Sequence, residues 1–171
     1  MLGGGTLIFA SVGSMLPFER LVKAVDDWAL ANPSRDVFIQ IGDTKYEPKH
    51  APFARMIPIT EYRQRLRDCH LFVAHVGMGS ILQALEDQKQ TLMLARHREW
   101  GEHTTDHQLH TAKRFGHMPG LKVADTVEEL HHYMSVLLEV PLTIGGAISN
   151  RASPELIAGV RGFLDGARAL S

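Results

Sequence analysis

An α/β fold, a parallel sheet of about six strands with helices on both faces, is predicted by three features of the sequence. Short β-branched runs alternate with longer amphipathic stretches. The short runs are apolar on both faces, as strands covered by helices on each side must be. Glycines at 13, 42 and 77 follow strand-like runs and punctuate them. No internal repeat, low-complexity segment or Pro/Gly/Ser linker divides the 171 residues, so they fit one domain with a proper core.

Each element has its own sequence cause. Thr6–Val12 is the first buried strand. From Phe18, the apolar residues Leu21, Val22, Val25, Trp28 and Ala29 recur at helical spacing, and Asn32-Pro33 ends that helix because proline cannot continue it. Val37–Ile41 is the second strand, followed by Gly42 and a polar loop through Lys49. Met56–Ile59 is a candidate third strand, placed near an edge because Pro58 has no donor for a ladder. Thr60 is the candidate cap of a charged helix from Glu61 to Asp68. Leu71–Ala74 is the next strand, and Gly77-Met78-Gly79-Ser80 turns it into a helix from Ile81 to Asp87. Thr91–Ala95, a long polar loop from Arg96 to Thr105, a helix from Asp106 to Phe115, a strand Leu121–Ala124 and a helix Val127–Leu138 complete the alternation.

Beyond Pro141 the composition shifts to small residues, so residues 1–140 are expected as the main domain and 141–171 as a linker and final amphipathic helix. Pro154 suits the first position of that helix, where a missing N–H costs nothing. Leu156, Ile157, Val160, Phe163 and Leu164 give it an apolar stripe. The stripe packs either on its own sheet or on another protein.

Composition bounds the function. Lys and Arg total 18 against 19 Asp and Glu, a net charge of -1, which gives no electrostatic case for binding nucleic acid. No apolar run is long enough to span a bilayer, and Met1–Gly5 has no basic region before the first apolar stretch, so no cleaved secretory signal is expected. The single cysteine, Cys69, excludes an internal disulfide and suits a reducing, cytoplasmic compartment.

The strongest chemical signal is Phe72–Ser80, a strand, glycine turn and helix start. Such a turn is either a plain tight connection or an anion site, since first-turn N–H groups and the helix dipole favour negative charge. Its spacing is not the dinucleotide pattern. Ser11-Val12-Gly13-Ser14 is a second glycine turn, without the lysine of a P-loop. Glu86 near the end of the helix is either solvated surface or a carboxylate for ribose hydroxyls. The loop from Arg96 to Gln108 is dense in hydrogen-bonding groups. Its histidines 97, 103 and 107, with His110 beyond, have spacings that put pairs on one helical face. There is no H-E-x-x-H, no nearby cysteine and no D-x-D, so hydrogen-bonding histidines are expected rather than a metal site. No G-x-S-x-G elbow exists, and Cys69 and His70 point to opposite faces, so a hydrolase has little support.

Taken in order, Ile8–Ser14 with Pro17–Val22, Phe38–Gly42, Ala74–Ile81 with Ala84-Leu85-Glu86, and Gly101-Glu102-His103 with Asp106–Leu109 resemble the carboxyl-terminal domain of glycosyltransferase family 28. More narrowly, they are similar to free-standing donor-binding subunits of split GT-B enzymes, including the cytosolic half of the second N-acetylglucosaminyltransferase of lipid-linked oligosaccharide assembly and bacterial exopolysaccharide counterparts. The resemblance implies a Rossmann-like domain that binds a UDP-sugar without a metal. It places the turn His75, Gly77, Met78, Gly79 and Ser80 at the diphosphate and Glu86 at the ribose, with Gly13 and Ser14 among the donor-binding residues. It places Arg96 or its neighbours near the base, and Glu102, His103, Asp106 and Gln108 near the donor sugar. His75, His103 and Glu102 are candidates for a direct chemical role, with the general base expected on an acceptor-binding partner. Gln88-Lys89-Gln90 replaces the family's small residue and Lys-Pro, and Met78 replaces a small residue between two glycines.

A GT-B enzyme needs two such domains, and this length holds one. The resemblance therefore implies a two-component inverting glycosyltransferase in polysaccharide synthesis. A membrane-associated acceptor subunit would recruit this chain to the cytoplasmic face for a lipid-linked saccharide acceptor. The alternative is a nucleotide-sugar-binding or regulatory module without turnover. Self-association into a homo-oligomer is open to the isolated chain.

Overall fold

The computed structural model describes residues 8–145. The first two residues of the expected opening strand, the final striped helix and most of the proposed 141–171 segment lie outside that range. Six parallel strands form one sheet: β1 (Ile8–Ser11), β2 (Val37–Gln40), β3 (Phe53–Ala54), β4 (Leu71–His75), β5 (Thr91–Leu94) and β6 (Leu121–Ala124). Their spatial order is β3-β2-β1-β4-β5-β6. Five helices connect or follow them: α1 (Glu19–Ala31), α2 (Ile59–Asp68), α3 (Met78–Glu86), α4 (His107–Phe115) and α5 (Val127–Glu139). The predicted α/β architecture is the observed one.

Strand alternation divides the core in two. Ile8, Ala10, Val73, Leu92 and Leu94 point to the face covered by α1 and α5. Phe9, Phe72, Ala74 and Met93 point to the other, where they meet Tyr62 and Leu66 of α2 and Ile81 and Ala84 of α3. Residues one apart on a strand must separate in this way. Phe9 packs edge-on against Tyr62 at 5.0 Å between ring centres, a preferred aromatic geometry. On the first face, Trp28 Nε1–H donates to Ser135 Oγ at 3.1 Å, and His131 Nε2 donates to the Ala24 carbonyl at 2.7 Å. These bonds lock α1 to α5.

Three expected boundaries move. The edge strand is Phe53–Ala54, not Met56–Ile59, because the donors at the end of β2 are consumed earlier: Ile39 N bonds Pro52 O, Ile41 N bonds Ala54 O and Gly42 N bonds Arg55 O. Ile57 N–H instead finds the Gln40 side-chain oxygen at 3.1 Å. Helix α2 begins at Ile59, with Pro58 as its N-cap and no side-chain cap, so Thr60 lies inside the first turn rather than capping it. Helix α3 likewise begins at Met78, three residues before the expected Ile81, since Ile81 N already bonds Gly77 O at 3.0 Å.

The long β2–β3 connection is held by one carboxylate. Asp26 of α1 is wholly buried, and its oxygens accept from Tyr46 Oη, Lys49 N, His50 N and Ala51 N at 2.7–3.0 Å. Burial would raise its pKa, but these bonds outweigh it and leave the carboxyl below its ordinary value. Its stabilisation is therefore full above about pH 4, the unfolded value, and is lost as pH falls through the lower folded value. Replacing Asp26 with Asn turns an NH2 toward N–H donors and should cost about 3 kcal/mol, read by urea unfolding. The variant should also lose the acid-limb decline below pH 4 that this carboxylate contributes.

Candidate functional site

Strand order reverses between β1 and β4, and an open parallel sheet leaves a crevice beyond the carboxyl ends of its strands at that point. A cleft of about 460 Å3 opens there. Gly13 and Ser14 line it from the β1–α1 loop, Gln40 from the end of β2, Met56 and Ile57 from the β3–α2 loop, and Tyr62 from α2. His75 closes β4 into it, Gly77, Met78, Gly79, Ser80 and Gln83 border it from α3, and Arg96 enters from the end of β5. The lining holds no carboxylate among the described residues.

Three donors of the backbone face this space. Because the first intrahelical bond of α3 is Ile81 N to Gly77 O, the N–H groups of Met78, Gly79 and Ser80 have no partner within the helix. Their dipoles favour an anion. A Cβ at Gly79 would meet nothing within 4 Å, so the backbone is bare there.

The other two glycines serve a different neighbour. A Cβ at Gly77 would run into His75 Cε1, and one at Gly13 would lie 2.6 Å from His75 Nε2. Gly13 also has φ of +80°, a conformation that favours glycine. The imidazole thus lies between two bare backbones. Its Nε2 is 3.3 Å from Ser80 Oγ, and its Nδ1 is 3.1 Å from Gln108 Nε2. Burial, reinforced by the charges of Arg96 and His103, pushes the His75 pKa down to about 4, so the ring is neutral at physiological pH.

Arg96 is 3% exposed and spans the cleft wall. One terminal nitrogen donates to the carbonyls of Val12 at 2.9 Å and Leu16 at 2.7 Å, and the guanidinium lies 4.8 Å from the Phe18 ring. Its Nε is buried without a hydrogen-bond partner among the described residues. Burial lowers its pKa to about 10, opposed by Glu102, and it stays charged.

The site residues expected from sequence divide into two sets. Gly13, Ser14, His75, Gly77, Met78, Gly79, Ser80 and Arg96 come together around the cleft. Glu86, Glu102, His103, Asp106 and Gln108 do not line it. Glu86 is exposed at the end of α3, seven residues past Gly79 and so about 10 Å further along the helix axis. Glu102 is gripped by Arg20, whose Nε and one terminal nitrogen bond its two oxygens at 2.7 and 2.8 Å, while His97 N–H adds a third bond at 2.9 Å. His97 stacks on Trp100 at 4.0 Å, and Arg20 lies 4.6 Å from the same ring. His103 Nδ1 accepts from Thr105 N at 3.1 Å, within its own loop. Asp106 caps the start of α4 in sequence position and accepts from Arg98 N at 3.1 Å. Gln108 is buried behind His75. Among the described residues, no group of three or more His, Cys, Asp or Glu side chains could hold a metal.

Sequence reasoning missed Gln83, Gln40, Tyr62 and the apolar rim of Met15, Met56, Ile57 and Ile59. Starting α3 at Met78 would have found Gln83, which sits one helical turn after Gly79 and on the same side.

No protein-family model matches the chain, and no curated protein matches it in sequence. Solved structures do match it. The glycosyltransferase of kitacinnamycin aligns over 82% of this chain and 37% of its own, with TM-score 0.55 and 17% identity. CalG4, the calicheamicin glycosyltransferase, aligns over 81% and 35%, with TM-score 0.56 and 13% identity. The spinosyn forosaminyltransferase SpnP aligns over 80% and 36%, with TM-score 0.53 and 14% identity. The chain therefore spans little more than a third of the length of these proteins.

Two variants test the roles given to side chains here. Glu102→Ala removes both carboxylate bonds to Arg20 and leaves it the Ala95 carbonyl alone, and should lower stability by roughly 2 kcal/mol in denaturant unfolding. The depressed His75 pKa contributes stability that is complete above the unfolded value near 6.5 and is lost as pH falls to about 4. Thermal midpoints measured across that window should fall toward acid in the wild type and fall less in His75→Asn. In its fold, the chain is similar to one Rossmann-like half of the GT-B glycosyltransferases.

Proposed function

We propose that this chain is the donor-binding half of a metal-independent, inverting GT-B glycosyltransferase that takes a UDP-sugar. One observation carries the reading: the free N–H groups of α3, the bare backbone at Gly79, the Ser80 hydroxyl, His75 and the charged Arg96 converge on a single cleft that no carboxylate lines among the described residues. That arrangement fits the diphosphate of a nucleotide sugar, whose negative charge grows on the leaving oxygen as the glycosidic bond breaks. The ordered motifs similar to family 28 and the fold of the three neighbours support the same assignment.

In such a transfer the acceptor hydroxyl attacks the anomeric carbon, UDP departs with the bonding pair, and a base takes the hydroxyl proton. The groups lining this cleft bind an anion and none of the described ones is a free carboxylate. His75 is committed through Nδ1 to Gln108, and Glu102 to Arg20. This supports a base supplied by a separate acceptor-binding chain, one that also brings a lipid-linked saccharide to the cytoplasmic membrane face. The exposed apolar residues Met15, Met56, Ile59 and Met78 at the cleft mouth suit closure by that second chain. Among the described residues no helix is long and apolar enough to cross a membrane. The same lack of a free base also favours, as a second reading, a module that binds a nucleotide sugar without turning it over. Transfer with the acceptor subunit present separates the two.

Calorimetry with UDP and a panel of UDP-sugars tests the donor site. Gly79→Val fills the open space over the helix start and should alter unfolding stability by only about 0.5 kcal/mol, because valine and glycine differ little in helix propensity. UDP affinity should nevertheless fall at least ten-fold. Undiminished UDP binding by this variant would remove the diphosphate from the start of α3.

A further inference from the structure

Hydrogen-bond direction around His75 can be deduced atom by atom. The Arg96 main-chain N–H can only donate, and it reaches Gln108 Oε1 at 3.1 Å. That contact fixes the orientation of the Gln108 amide, so the atom 3.1 Å from His75 Nδ1 is the amide nitrogen, also a donor. Nδ1 must therefore be the bare nitrogen of the neutral ring, and the ring proton sits on Nε2. Nε2 in turn lies 3.3 Å from Ser80 Oγ, beside the start of α3.

We propose that Gln108 is a positioning residue: its amide holds the His75 imidazole in the Nε2–H tautomer, and so keeps a neutral hydrogen-bond donor, rather than a base, at the wall of the cleft. The relay runs from the end of β5, through α4, to the end of β4 and the first turn of α3. It uses a residue that the sequence motifs place near the donor sugar, yet Gln108 is only 4% exposed and both ends of its amide are occupied. The groups that face the ring from neighbouring elements agree with a neutral imidazole. Arg96 from β5 and His103 from the β5–α4 loop oppose a second proton, Ser80 is uncharged, and Gly13 and Gly77 present bare backbone. Facing the site, Nε2–H adds a donor beside those of α3, either directly or through the Ser80 hydroxyl, whose own proton is then free to point outward.

The purpose given to this donor rests on the cleft's being a diphosphate site, but the tautomer can be measured without any ligand. Long-range proton–nitrogen NMR of the imidazole at pH 7 should show His75 protonated on Nε2 and bare on Nδ1. Gln108→Glu still accepts from Arg96 N–H but cannot donate, and should draw the ring proton to Nδ1. Gln108→Met, of similar length, removes the donor without adding charge and should leave a mixture of tautomers. UDP affinity by calorimetry should fall in both, about ten-fold in Gln108→Glu at pH 8. A wild-type ring protonated on Nδ1, or a Gln108→Met ring that keeps the wild-type tautomer and UDP affinity, would overturn the proposal. A tautomer that switches as expected in a protein to which UDP never binds upholds the clamp and counts against the diphosphate reading instead.

Discussion

The buried guanidinium of Arg96 is the interaction on which the site's shape depends. A charge with 3% exposure persists in an interior only when hydrogen bonds replace lost water, and here two carbonyls of the β1–α1 loop do so for one terminal nitrogen, while Nε has no partner among the described residues. In satisfying the charge they also determine where that loop runs, since Val12 and Leu16 flank Gly13 and Ser14 at the cleft. The main chain of the same residue orients Gln108, which orients His75. The carboxyl ends of β1, β4 and β5 are thereby connected through one residue. The polar groups of the cleft are held by hydrogen bonds within the fold itself, which is what preorganised binding of a charged group requires.

Most of the fold was legible in the sequence because parallel strands buried on both faces read as short, unbroken apolar runs between longer amphipathic stretches. Thr91–Leu94 and Leu71–His75 show no exposed face, and the amphipathic stretches between strands could only be helices. What was not legible was where the edge strand lay. Phe53–Ala54 is two residues long and half-solvated, so its hydrophobicity carries little information; the apolar Met56–Ile59 segment was the better pattern match. That segment is apolar for another reason, since Met56, Ile57 and Ile59 form one wall of the cleft. Periodicity registers burial and cannot distinguish a ladder from a ligand wall.

The site was legible at its centre and not at its edges. Glycine after a buried strand located the cleft, but spacing could not say what each glycine makes room for. Gly13 and Gly77 make room for an imidazole, whereas Gly79 is bare. The polar loop from Arg96 to Gln108 reads in sequence as a dense set of contact residues. In three dimensions Arg20, eighty-two positions before Glu102, claims that carboxylate, and no local pattern announces so distant a pair. Gln83 was hidden because the helical pattern starts at Ile81 while α3 itself starts at Met78, which puts Gln83 one turn after Gly79.

These assignments define a division of chemical labour. Proton abstraction needs a group with a free lone pair near the reacting atoms and a pKa close to the working pH. His75, neutral and bonded at Nδ1, does not meet that condition, and Glu102 lies off the cleft with both oxygens held by Arg20. Anion binding needs fixed donors that lose little freedom on contact, and the α3 amides, Ser80 and Arg96 meet that one. Donors of this kind stabilise a diphosphate most as its charge develops, so under the proposed function the cleft would hold the leaving group and acceptor activation would fall to atoms beyond its apolar rim. A site so arranged gains from a second surface that excludes water, because each of its charge-assisted bonds strengthens as the local dielectric falls.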